Sequence, residues 1–184
     1  MISNIFDKNI IKVISYFLIS PGSRYTRKEI KEKIEMNNLP LDNTLAKLLS
    51  LKLLNKKNNL YQLSQENENF SEILKKIKQE YKEFGVPYKI FIILVDIADK
   101  LSRNKSIDSA ILFGSYAKLI HTEKSDIDIA VITKDKFPEK QITKIKKEIA
   151  KIDDKIELQF FQEKDLQEKD ALIHDIKRNG KRIL

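Results

Sequence analysis

Two short polar clusters, each joined to an apolar run, hold the residue types in this chain that could do chemistry. Ala110-Ile111-Leu112-Phe113 ends abruptly at Gly114-Ser115, and ten residues separate Ser115 from Asp126-Ile127-Asp128-Ile129-Ala130-Val131-Ile132. The first apolar run reads as a buried strand and the second as a strand with alternating faces. Residues two apart on a strand point the same way, so Asp126 and Asp128 share one face while Ile127 and Ile129 face the core. Two neighbouring carboxylates repel and are costly to bury unpaired. A hard divalent cation such as Mg²⁺ relieves both problems through oxygen ligands. Gly114 permits close backbone approach or a positive φ. Ser115 is expected to cap a short following helix whose N–H groups would face an anion. A phosphate cradle opposite a carboxylate-bound metal is what phosphoryl or nucleotidyl transfer requires.

Gly114-Ser115-x-Ala117 followed by Ser125-Asp126-x-Asp128 resembles the signature of the polymerase-β-like nucleotidyltransferases, and most of all their minimal nucleotidyltransferase branch. The family pattern is Gly-Ser-x-Ala-x-Gly and then Ser-Asp-x-Asp at this spacing. The chain departs at Leu119, where the family usually has its second glycine. The resemblance implies a mixed β-sheet flanked by helices, an α+β fold, over roughly residues 88–184. It implies that Asp126 and Asp128 hold two Mg²⁺ ions, with a third acidic residue on a later strand completing one shell. It also implies that ATP or another NTP is the substrate, with Gly114 and Ser115 against its β and γ phosphates.

The flanking sequence supplies elements that could position these groups. Residues 88–103 form a mostly apolar helix before the first strand. Pro138 to Ile152 reads as a basic helix with Ile142, Ile145, Ile149 and Ile152 toward the sheet. Lys155 to Phe161 then alternates as a strand, and Glu157 is the position matching the family's third acid. Asp153 and Asp154 compete for that role from the preceding turn. Lys118 is either a further phosphate contact or a solvated lysine, and His121 reads as a polar loop residue. Ala171–Gly180 forms a helix with a glycine stop, and Lys181–Leu184 could add an edge strand.

Residues 1–63 read as a separate domain. Ile10, Ile11, Ile14, Phe17 and Leu18 fall at helical spacing before Pro21-Gly22. Thr26 and Glu29 form a capping box for a second helix running to about Met36. Pro40 suits the first position of a third helix with Leu41, Leu45, Leu48 and Leu49 as its stripe. Leu53-Leu54 and Leu60–Leu63 flank Asn55–Asn59 as a hairpin with a basic tip. This order resembles a winged helix-turn-helix with the third helix in the recognition position. Asn43, Thr44 and Lys47 are the candidate base contacts, and Lys52, Lys56 and Lys57 the candidate phosphate contacts. Residues 64–86 read as a helical connector whose stripe (Phe70, Ile73, Leu74, Ile77, Tyr81) invites a partner, a homodimer among the options. Gly85-Val86-Pro87 breaks it, leaving 87–184 as the nucleotidyltransferase-like domain.

Composition narrows the function classes. The chain of 184 residues has a net charge of +8 and no cysteine, so disulfides and cysteine-zinc sites are excluded. Residues 1–63 hold 11 Lys+Arg against 5 Asp+Glu, which places most of the excess in the N-terminal third, as an acidic partner such as DNA would favour. His121 and His174 are too far apart to suggest a metal motif. The apolar runs are too short to span a membrane, and the expected location is cytoplasmic. Three functions compete. One is an enzyme moving an NMP, AMP from ATP foremost, onto a protein or small-molecule hydroxyl. Another is a DNA-binding transcription regulator that uses the transferase domain to sense nucleotides. The last is an antitoxin that blocks its partner without catalysis. The resemblance extends to antitoxins paired with HEPN-type toxin proteins, which makes such a toxin a candidate partner.

Overall fold

A computed structural model describes residues 7–64, 68–167 and 170–184, with backbone alone at 68–74. The chain divides into two compact units, one ending at Glu83 and the other beginning at Phe84.

In the N-terminal unit α1 (Lys8–Ile19) is capped by the Asp7 carboxylate, which accepts from the Asn9 N–H at 2.8 Å. Strand β1 (Tyr25–Thr26) leads into α2 (Arg27–Ile34), whose capping box is complete between Thr26 and Glu29. That helix stops at Ile34, two residues early, because Glu35 turns left-handed at φ 50°. The third helix, α3 (Asn38–Ser50), starts two residues before Pro40 with Asn37 as its cap. Pro40 therefore sits in the first turn, where its missing N–H costs nothing. Strands β2 (Leu54–Lys57) and β3 (Leu60–Leu63) join through Asn58-Asn59, with φ of 50° and 61°. Paired positive φ values belong to a tight two-residue hairpin, so Lys56 and Lys57 stand on a strand and not at the tip. The sheet order is β1-β3-β2, all antiparallel. Ile14, Phe17, Ile30, Ile34, Leu41 and Leu48 fill the core.

Helix α4 (Glu68–Phe84) follows. Of its expected stripe, the side chains of Phe70, Ile73 and Leu74 lie outside the described residues. Ile77 is buried and Tyr81 half-buried.

The C-terminal unit contains α5 (Tyr88–Ser102), β4 (Ile107–Leu112), α6 (Gly114–Ala117), β5 (Ile127–Thr133), α7 (Glu139–Ile149), β6 (Ile156–Gln162), a 3₁₀ turn at Glu163–Gln167, α8 (Ala171–Asn179) and β7 (Lys181–Arg182). Its sheet runs β6-β5-β4-β7, with β5 and β6 parallel and the other pairs antiparallel. Strand β4 begins three residues earlier than its apolar run because Asp108 and Ser109 interrupt the pattern, with a register shift there. The two-residue strand β7 is locked to β4, and Ile183 donates to the Ala110 carbonyl at 2.8 Å. Ile129 to Thr133 are all buried, so only the first part of β5 opens to solvent, on the side of Asp126 and Asp128. Helix α7 starts at Glu139 and ends at Ile149, three residues short of Ile152; it buries only Ile149 fully, while Ile142, Ile145 and, beyond its end, Ile152 are half-buried. Among the described residues no helix is long and apolar enough to cross a membrane.

Candidate active site

The site grows from where three strand ends meet. Leu112 pairs with Ile129, and the Phe113 N–H donates to the Asp128 carbonyl at 2.9 Å. That bond turns the chain at Gly114, whose φ is 68°. A Cβ built on Gly114 would collide with the Asp128 carboxylate. Glycine is thus required twice here, by the dihedral angle and by the approach of Asp128. The cap of α6 is Phe113, and Ser115 lies inside the helix instead of capping it. The Ser115 carbonyl accepts from the Ile120 N–H at 3.0 Å, which closes the loop behind the short helix.

Asp128 and Glu157 are partners in the parallel register of β5 and β6. Neighbours in register share a face, so the two carboxylates project together. Asp126, just before β5, is exposed, Asp128 half-buried and Glu157 exposed. Burial, then the Glu157 charge, then that of Asp126, push the Asp128 carboxyl above the usual carboxylate range. Among the described residues none of the three carboxylates has a hydrogen-bond or ion-pair partner. No three acidic or histidine side chains among those residues converge closely enough to form a preassembled metal cage. The donor set itself suits a hard cation: all oxygen, mutually repelling and without a counter-charge.

The loop between Gly114 and Asp126 is held by its own contacts. The Ser125 hydroxyl accepts from the Thr122 N–H at 2.9 Å. Lys118 pairs with Asp175 of α8 at 2.8 Å, so this lysine braces the loop. Leu119 has φ 61°, the left-handed angle that a glycine would take without strain. Its side chain lies over Gly85, 3.3 Å from where a Cβ on that residue would stand. Asp153 is occupied by the turn before β6, accepting from the Lys155 N–H at 3.0 Å, and Asp154 is exposed.

Sequence reasoning missed one feature of this loop. His121 stacks on Tyr116 with ring centroids 4.3 Å apart, and among the described residues its buried Nδ1 has no partner. The available signal was an aromatic inside Gly-Ser-Tyr-Ala with a histidine five residues on.

Residues 96–184 match the family Polymerase beta, Nucleotidyltransferase, just under half of the chain. This stretch is a nucleotidyltransferase domain. Nucleotidyltransferases of this type use an NTP and a divalent metal. Two solved structures are also similar. A toxin–antitoxin with AMP-PNP is 20% identical, with TM-score 0.38, covering 50% of this chain and 70% of that one. A mutant of the toxin–antitoxin MntA-HpeT is 18% identical, with TM-score 0.38, covering 50% and 69%. Comparison with curated proteins gives no significant match.

In the N-terminal unit the candidate contacts separate. Asn43 and Lys47 are exposed on α3, and Lys52, Lys56 and Lys57 are exposed around β2. The Lys56 ammonium lies 5.2 Å from the Tyr61 ring centre. Thr44 is a correction: it is buried, and its hydroxyl donates to the Pro40 carbonyl at 2.7 Å. Thr44 is three residues after Leu41 and four before Leu48, on the buried face, and the backbone bond satisfies its oxygen.

Proposed function

We propose that the nucleotidyltransferase domain is catalytically competent and moves an NMP, AMP from ATP foremost, onto a hydroxyl of a protein or small molecule. The observation that carries this reading is Asp128 seated against Gly114, with Asp126 and Glu157 beside it and no cation of the described residues paired with any of them. Such a cluster lowers stability unless a bound cation neutralises it.

Asp126, Asp128 and Glu157 would hold Mg²⁺, two ions by family resemblance. The bound metal supplies charge neutralisation at the triphosphate and a lowered pKa at the attacking hydroxyl. Gly114 lets the backbone approach the β and γ phosphates, and Ser115 offers its hydroxyl to them. Glu157, exposed and the partner of Asp128 in the β5–β6 register, accepts the acceptor's proton. The hydroxyl oxygen bonds to the α-phosphorus, the bond from that phosphorus to the bridging oxygen breaks, and pyrophosphate leaves.

The test is transfer of label from α-³²P-ATP, with Mg²⁺, in lysate of the source organism. Wild type labels an acceptor, and an Asp126→Asn/Asp128→Asn double variant loses at least about a hundredfold of that rate. Equal labelling by both proteins contradicts the assignment.

A second reading concerns the N-terminal unit, as a winged helix-turn-helix in a DNA-binding regulator whose other domain senses nucleotides. Three helices with a small antiparallel sheet, and exposed Asn43, Lys47, Lys52, Lys56 and Lys57, support it. The expected DNA affinity falls steeply with salt, and Lys52→Ala/Lys56→Ala/Lys57→Ala flattens the log–log slope by about 0.9 for each phosphate no longer neutralised. No binding at low salt removes this reading. A HEPN-type toxin as partner rests on the resemblance alone, and co-purification unaffected by Asp126→Asn would favour a blocking antitoxin.

A further inference from the structure

Strand β6 is the edge of its sheet, and Glu157 is its second residue. The Ile127 N–H donates to the Lys155 carbonyl at 2.8 Å, in a register pairing Ile127 with Ile156. In a parallel ladder this directs the peptide groups of Lys155, Glu157, Gln159 and Phe161 toward β5. Those of Ile156, Leu158 and Phe160 therefore point outward. At the far end the outward Gln162 N–H is capped by the Asp165 carboxylate at 2.7 Å. Among the described residues no strand pairs with the rest of that edge. Beside it runs a cavity of about 390 Å³ lined by Lys146, Ala150 and residues 156–159, with Glu157 in its wall.

We propose that this open edge docks the acceptor, a protein segment in extended form that adds to β6 as a further strand. The proposal rests on the transferase reading above and specifies its substrate class. Main-chain bonds to Ile156, Leu158 and Phe160 supply affinity that depends little on sequence, and the side chains supply selection. The added residue opposite Glu157 projects on the Glu157 side of the sheet, with Cβ atoms about 4.5–5.5 Å apart. A hydroxyl-bearing residue at that place faces the carboxylate cluster across one strand spacing. Its oxygen then bonds to the α-phosphorus of ATP, its proton passes to Glu157, and pyrophosphate departs with the electrons of the broken bond. Lys146, across the cavity, favours an acidic residue nearby in the segment.

The test uses the full chain with α-³²P-ATP and Mg²⁺ in source lysate, comparing wild type with Ala150→Trp. Ala150 is exposed on the cavity rim, so the indole fills the cavity without entering the core. Expected is label in a protein with wild type, reduced at least tenfold in the variant, while Mg²⁺-ATP affinity stays within twofold. Amide exchange is the second readout: Ile156, Leu158 and Phe160 gain protection on adding the purified acceptor. Label confined to a small molecule, or protein labelling unchanged by Ala150→Trp, overturns the docking edge and leaves the transferase standing. Protection that rises with protein concentration alone overturns it too, because the edge then pairs with a second copy. No label under any condition removes the transferase reading and this proposal with it.

Discussion

In the N-terminal unit polar groups close on one another, whereas in the nucleotidyltransferase domain the central ones do not. Arg27 of α2 grips both oxygens of Asp42 on α3 at 2.6 and 2.9 Å and reaches Asn38 at 3.2 Å. Thr26 and Glu29 satisfy each other across the helix start. The transferase domain holds three carboxylates without partners among the described residues and a glycine that a methyl group would disrupt. Polar groups that hold a fold together are paired. Unpaired negative charge gathered in one place is what a bound cation would neutralise.

Breaking that contrast is easiest at Gly114. Gly114→Ala combines positive φ with a collision at Asp128, and we expect about 2–4 kcal/mol of lost stability or a displaced Asp128. Transfer falls at least about a hundredfold either way, read by denaturant unfolding and label transfer. Wild-type behaviour would show that Asp128 has room to move. At Leu119 the expected effect is smaller. Leu119→Val puts a β-branched residue at φ 61° and costs about 1–2 kcal/mol, while Leu119→Gly stays within about 0.5 kcal/mol. In the glycine variant, relief of strain offsets the missing packing over Gly85 and the added chain entropy. Equal costs would mean that the packing dominates.

Asp128→Asn sharpens the contrast with the opposite sign. Removing one of three repelling charges raises Tm by about 2–4 °C without metal and abolishes the further rise that Mg²⁺ with ATP gives wild type. A drop in Tm without metal would mean that Asp128 has a structural partner. Smaller again is the brace between Lys118 and Asp175. The lysine's hydrogen bond, with help from Asn179, holds the Asp175 carboxyl below its usual range. A lowered carboxylate pKa contributes stability above the unfolded value, and that contribution disappears as pH falls through the folded one. Asp175→Asn should therefore lower stability at neutral pH by less than about 1 kcal/mol, with the gap closing in acid. A gap unchanged by pH would assign the effect to packing.

Legibility followed the same divide. Gly114, Asp126 and Asp128 stood out because chemistry fixes both residue type and spacing. Alternation alone put Glu157 on an outward face, and the β5–β6 register sets it beside Asp128. The bracing of Lys118 by Asp175 was hidden because it joins α6 to α8 across 57 positions of sequence. The left-handed Leu119 was hidden because leucine does not advertise that angle. Thr44 misled because polarity outweighed its place between Leu41 and Leu48. The capping box and the asparagine turn of the N-terminal unit were readable because they are local, and its lysines point to an acidic partner without fixing a spacing that chemistry demands.

The central claim is that Asp126, Asp128 and Glu157 form a metal–nucleotide site. Mn²⁺ binding followed by electron paramagnetic resonance, with a non-hydrolysable ATP analogue, tests it most directly. We predict that wild type binds Mn²⁺ more tightly with the analogue present, and that Asp128→Asn weakens this at least tenfold. Mn²⁺ affinity unchanged by Asp128→Asn would contradict the site.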